Sequence, residues 1–305
     1  MSNTLHCLLL AAFAAIAFAA DPVIPESSSA RALEEKPEPK ADKSGYHLFK
    51  PVPRELMREL STDRPDQTES AYTVDAGHFQ IEWSLFSFER DRNTPDDDFT
   101  RTDSYSFASP NFKMGLTNRI DLQFIFEPHI IEKTRSRDED GVVFHETKQG
   151  FGDLTVRPKF NIFGNDGGGR AFALMPFVTF PTNQEELGAE GVEFGLIAPY
   201  NMDLPCGWGM GVMTEVDFVR DDGDTGYDVD FFNTITFSHD IIGDLGGYLE
   251  FASTVHGNGD AWEGQVDFGF TYGFTDDIQL DWGCNVGVTR SAPDVNPFLG
   301  LTVRW

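Results

Sequence analysis

The sequence predicts an all-β protein, a transmembrane antiparallel up-and-down β-barrel of about twelve strands. Three observations carry this. From Gly77 onward apolar and polar residues alternate at period two through about a dozen segments, the spacing of a strand with one apolar face. Within each segment one parity is nearly free of Asp, Glu, Lys and Arg, although the chain carries a formal net charge of −27. The connections alternate between compact turns and longer acidic stretches, the rhythm of short periplasmic turns and long outer loops. A charge-free face needs a cause, and lipid supplies one, because Lys or Arg at mid-depth of a bilayer costs ~2–4 kcal/mol.

The elements follow in order. Leu8, Leu9 and Leu10 lead into an apolar run ending at Ile16, and Ala17-Phe18-Ala19 has the small-x-small pattern of a cleavage site, so residues 1–19 read as an export signal. No other run approaches the ~20 apolar residues that a spanning helix needs, which leaves strands as the only spans. Residues 20–75 read as a flexible periplasmic leader or a plug segment, the first forty or so being rich in Pro, Glu, Lys and Ser without a period. Residues 76–305 read as the barrel.

The first strand carries Phe79, Ile81, Trp83 and Leu85, then slips to Phe86 and Phe88, which predicts a bulge. The second carries Tyr105 and Phe107 and, after a slip at Ser109-Pro110, Phe112, Met114 and Leu116; the third runs cleanly from Ile120 to Phe126. Leu154, Val156, Phe160 and Ile162 mark the fourth, and Phe172, Leu174, Val178 and Phe180 the fifth. The remaining strands are led by Phe194, Trp208, Tyr227, Leu249, Trp262, Ile278 and Leu299. Compact turns fall at 117–118, 164–169, 203–207, 239–246 and 275–277, and polar outer loops around 91–98, 133–148, 182–191, 220–226, 255–261 and 290–296. Tyr200, Trp208, Tyr272 and Trp305 lie at the turn end, Tyr227 and Trp262 at the loop end, where a bilayer interface selects amphipathic rings. Trp305 also reads as a C-terminal barrel-assembly signal, making the assembly machinery an expected partner beside outer-membrane lipids.

With the apolar parity outward, Glu82, Asp121, Glu127, Asp153 and Glu193 point into the lumen, as do Glu215, Asp217, Asp228 and Asp230. Glu250, Glu263, Asp267 and Asp281 complete the acidic set, opposed by Arg157, Lys159 and Arg304, with His78 and Lys113 beside them. Two readings stay open: a wall that prefers cations, or a hydrated, salt-bridged interior. Twelve strands ~4.8 Å apart and tilted about 40° give a backbone diameter on the order of 24 Å. Asp63, Arg64 and Asp66 precede the first strand and either enter the lumen as a plug or stay outside as a tether. Pro158, Pro176 and Pro199 fall within three successive strands, where a residue unable to donate to the ladder weakens a closed sheet. They mark either a lateral seam or local bulging.

Other chemistries are poorly supported. The net charge argues against nucleic acid as a partner. Cys206 and Cys284 read as unpaired thiols. Asp222-Gly223-Asp224-Thr225-Gly226 begins like a calcium loop but lacks the later bidentate Glu, no metal-ligand pair spacing is present, and no cofactor is implied.

Several segments resemble the MetA-pathway phenol-degradation family of outer-membrane transporters: Ser61-Thr62-Asp63-Arg64-Pro65-Asp66, Ala76-Gly77-His78-Phe79, Met114-Gly115-Leu116-Thr117-Asn118-Arg119, Gly150-Phe151-Gly152-Asp153, and the closing Asn285-Val286-Gly287-Val288-Thr289 with Ala292-Pro293-Asp294. The similarity spans roughly 61–305. It implies an outer-membrane barrel, without catalytic residues, for passive uptake of small organic solutes, aromatic or apolar ones among them. Two competitors remain: a secreted soluble β-sandwich that buries the same faces, and a barrel lipase using Ser253 and His256, which the alternation puts on opposite faces of one strand.

Overall fold

The computed structural model describes residues 42–92, 100–138, 140–220 and 226–305. The expected export signal, the leader up to residue 41 and most of the calcium-like stretch lie outside these residues.

All strands run antiparallel to their neighbours. In chain order they are β1 (Phe79–Asp91), β2 (Thr100–Thr117), β3 (Ile120–Phe126), β4 (Ile130–Arg137), β5 (Val143–Gly150), β6 (Leu154–Phe163) and β7 (Arg170–Phe180). There follow β8 (Glu193–Asp203), β9 (Trp208–Arg220), β10 (Tyr227–Ile242), β11 (Leu245–Val255), β12 (Glu263–Thr275), β13 (Ile278–Gly287) and β14 (Val295–Arg304). Each barrel strand pairs with the next, β3 pairs with β6, and β1 pairs with both β2 and β14, so the sheet closes as a 12-strand barrel. The closure is finished by Phe79 and Trp305, which exchange backbone hydrogen bonds of 3.0 and 2.9 Å and stack their rings.

A closed single sheet leaves no second sheet to pack against, which removes the β-sandwich. The apolar parity faces outward instead: Phe194, Leu196, Phe231, Leu249, Phe268 and Leu299 are all exposed. Trp208, Tyr272 and Trp305 at the turn end and Tyr227 and Trp262 at the loop end are exposed with them. Such a surface is stable only against hydrocarbon, and the protein is an outer-membrane barrel. No helix among the described residues is long and apolar enough to cross a membrane.

The stretch 133–148, expected as an outer loop, is a hairpin. β2 is 18 residues long and β3 pairs only with its inner part, leaving an open edge from Thr100 to Ser106 that β4 takes. Beyond Ile130 and Ile131 both faces of β4 are polar, so its alternation carried no apolar signal. The expected slip in β1 is real: its register against β14 shifts between Ser84 and Phe86. On the other side of β1, Ala108 in β2 adopts φ of 54°. Trp262 and Val288 lie just outside β12 and β13, and β14 begins earlier than expected, at Val295.

Candidate functional site

The inward face is polar, and its turn-end half is largely filled by the chain's own leader. Residues 42–60 run beneath the barrel mouth, where His78 Nε2 lies 2.7 Å from the Val52 carbonyl and Arg304 donates to the Arg58 carbonyl at 2.8 Å. Arg304 also holds the Asp277 carboxylate at 2.9 Å. Residues 61–74 then enter the lumen with no strand pairing to the wall.

Every buried backbone donor needs an acceptor, and here the wall side chains supply them. Glu82 accepts from the Asp63 amide at 3.1 Å, and Glu250 from the Gln67 and Thr68 amides at 2.7 and 2.9 Å and from the Thr68 hydroxyl. Asn201 accepts from Ala71 at 2.7 Å, Asn165 from Thr73 at 3.0 Å and Asp121 from Val74 at 3.0 Å. Asp267 accepts from the Gln67 side chain at 2.7 Å.

Two ionic anchors fix the segment. Asp63 is buried between Lys159 at 2.6 Å, Lys113 and Arg157, and Lys113 also meets Glu82. Arg64 forks onto Asp281 at 2.8 and 3.4 Å and lies over the Phe298 ring. Charges this deep are tolerable only when paired and hydrogen-bonded, and each of these is. Glu69 adds a fork to Arg157. Asp66 lies half-buried at the edge of a cavity between the segment and β8–β12.

That cavity, about 360 Å³, makes the filling one-sided. Lumen-facing Gln80, Lys113, Lys159 and Thr302 on the opposite wall are at most 2 % exposed, whereas Ser238 on β10 is exposed. Gly209, Gly211 and Gly246 floor the open side. A Cβ on Gly211 would come within 2.9 Å of the Thr68 methyl, so the wall there is trimmed to let the segment pass.

The loop-end half differs. Glu127, Asp153, Glu193, Glu215, Asp217, Asp228, Asp230 and Glu263 are all half-buried around it. Asp153 is engaged by the 181–192 loop, accepting from the Asn183 and Ala189 amides at 3.1 and 2.6 Å. Glu215 and Asp217 stand on the same face of β9, and Asp217 is directly across from Asp230. His256 Nδ1 lies 2.8 Å from Asp230; burial opposes its protonation, but the Asp230 bond and nearby Glu263 outweigh this and raise its pKa. Ser253 accepts from Trp262 Nε1 at 2.8 Å, so the lipase pair is not assembled.

Residues 62–305 match the family described as "Putative MetA-pathway of phenol degradation". The chain belongs to that family. No curated protein matches by sequence. Among solved structures, an outer membrane channel from Pseudomonas putida F1 superposes with a TM-score of 0.54 at 12% identity, covering 80% of this chain and 100% of that one. The transport unit of the autotransporter AIDA-I from Escherichia coli gives 0.51 at 9% identity over 80% and 92%. At such identities the likeness is one of fold.

The three prolines lie where two ladders are interrupted. Between β6 and β7 the paired positions pass from Val156↔Val178 to Phe160↔Leu174, and Pro158 and Pro176 sit level with each other in the gap. Between β7 and β8 the pairing skips from Phe172↔Tyr200 to Met175↔Ile197, beside Pro199. Inside this part of the wall, Met175, Ile197 and Met213 form an apolar cluster with Phe177 and Phe232. Cys206 and Cys284 are free. Sequence reasoning missed Gln67, Thr68 and Glu69 as contact residues, and also Asn201 and Asn165, which accept from the Ala71 and Thr73 amides, and Asn161, which donates to the Ala71 carbonyl, because neutral amides look like ordinary lumen lining.

Proposed function

We propose that the protein is an outer-membrane channel for passive entry of small organic solutes, with residues 61–74 acting as a plug that sets its bore. The observation that carries this is the way the segment is held. It fills the turn-end lumen through side-chain contacts alone, so the barrel wall is complete without it. The cavity beside Gly209, Gly211 and Ser238 gives solutes a path on the loosely packed side. The carboxylates of the loop end favour cations and neutral solutes over anions. The reading is of a conduit rather than an enzyme.

Liposome swelling and planar-bilayer conductance on the full-length protein and on a variant lacking residues 61–74 test the reading. The deletion should raise conductance severalfold and admit larger solutes. Unchanged conductance would remove the plug assignment, and no swelling with any solute in either protein would remove the channel.

A second route is favoured by one observation, the interrupted ladder at Pro158 and Pro176 next to the apolar cluster around Met175. Apolar solutes leave sideways through this β6–β7 seam while polar ones continue to the periplasm. Cysteine crosslinks across the seam should then abolish uptake of apolar solutes and spare polar ones; equal loss of both would count against it.

A further inference from the structure

The outer hairpin sorts its charges by face. On β4, Lys133, Arg135 and Arg137 share one parity and are exposed, while Glu132, Thr134 and Ser136 take the other. The register fixes which way the cations look. Ile131 pairs with Tyr105, Lys133 with Asp103 and Arg135 with Arg101. Tyr105 packs against Phe88 on the lipid-facing surface, and Lys133 lies 5.4 Å from the Tyr105 ring. The cations are therefore the continuation of the apolar belt beyond its outer edge.

Neighbouring strands add to them. His145 on β5 pairs with Arg135, and Arg90 on β1 pairs with Asp103. Among the strand residues in register on this face Asp103 is the one carboxylate, engaged by Arg90 at 2.7 Å and by Arg101, and beside it Asp294 pairs with Arg92 at 2.8 Å. Glu132 and Glu146 face the other way, and Asp138 and Asp140 lie at the hairpin tip. A cavity of about 260 Å³ opens among Arg101, Lys133, Arg135 and His145, with Asp103 and Glu146 also on its lining, so the cations outnumber the acids there.

A chain of net charge −27 has few cations to place, and here they gather on the side that meets the headgroups of the outer leaflet. Arginine matches phosphate through two parallel N–H donors, and cations at a membrane surface attract anionic headgroups. We propose that this face binds the phosphate groups of an outer-leaflet glycolipid, with Lys133, Arg135 and Arg137 as principal contacts and Arg101 and His145 lining the pocket. The assignment is independent of whether the lumen conducts.

The test is native mass spectrometry of the full-length protein released from detergent with added lipid A, lipid A stripped of its phosphates, or phosphatidylglycerol. Wild-type protein should retain phosphorylated lipid A and not the stripped form, with phosphatidylglycerol held more weakly. The Lys133→Gln, Arg135→Gln, Arg137→Gln triple variant should bind lipid A at least about tenfold more weakly, and Lys148→Gln, on the opposite face, should bind as wild type does. Heat-modifiable gel mobility establishes that each variant barrel is closed, since the hairpin lies outside it. Equal retention of stripped lipid A, or triple-variant binding at the wild-type level, would overturn the proposal. Preference for phosphatidylglycerol over lipid A would overturn the glycolipid as its source.

Discussion

The two ends of one lumen use the same residue type for opposite purposes. At the turn end Glu82, Asp121, Glu250 and Asp281 are committed, each accepting from an amide, hydroxyl or guanidinium of the leader. At the loop end Glu215 and Asp217 share one face of β9, and Asp217 is directly across from Asp230 on β10. A carboxylate at the turn end is thus an acceptor for the chain that fills the bore, whereas at the loop end Asp153 and Asp230 accept from loop residues and the lumen between them carries the cation preference proposed above. Net charge alone does not distinguish the two.

The comparison breaks most easily at Asp63. Asp63→Ala strands Lys113 and Lys159 without their shared partner, and breaking a buried pair costs about 3–5 kcal/mol. Because the barrel strands do not depend on this contact, the loss should appear as an undocked leader, read as raised single-channel conductance with heat-modifiable mobility unchanged. Glu250→Ala comes next: the Gln67 and Thr68 amides lose their acceptor, at about 1–3 kcal/mol for each buried group left unpaired. Its expected signature is flickering between the wild-type and the open conductance.

At the loop end, Asp217→Asn with Asp230→Asn should leave the leader docked and lower cation preference, measured as reversal potential in a KCl gradient. An unchanged reversal potential, or anion preference in the wild type, would contradict the assigned field. The smallest effect is at the turn-end rim. Burial acts to raise the Asp166 pKa, but the Asn118 hydrogen bond and the Arg58 and Lys43 charges outweigh it and hold it below the ordinary value. A depressed folded-state pKa stabilises fully above the unfolded value near ~3.9 and is lost as pH falls through the lower folded value. Its contribution, under about 1 kcal/mol for so exposed a pair, should vanish from the acid limb of a heat-modification curve in Asp166→Asn.

Much of the barrel was legible because lipid imposes a rule on every outward position. Phe79 to Trp305 could be phased strand by strand from that rule, and the lumen set followed by parity. The hairpin β4–β5 was not, since it stands beyond the hydrocarbon, where neither face of Ile130–Arg137 is required to be apolar. The course of residues 61–74 was legible only as a choice between plug and tether. Asp63 and Arg64 announced charge, but their partners Lys113, Lys159 and Asp281 are distant in sequence and brought together only by closure. The interrupted ladders at Pro158 and Pro176 could be located by reflection about the turn, because proline's missing donor acts locally.

Amide hydrogen exchange of the full-length protein in detergent micelles or lipid nanodiscs tests the central claim most directly. If wall side chains satisfy the leader's backbone, the amides of Asp63, Gln67, Thr68, Ala71 and Val74 will exchange as slowly as those of neighbouring barrel strands despite belonging to none. Exchange of these amides at the rate of an unstructured chain would contradict the account.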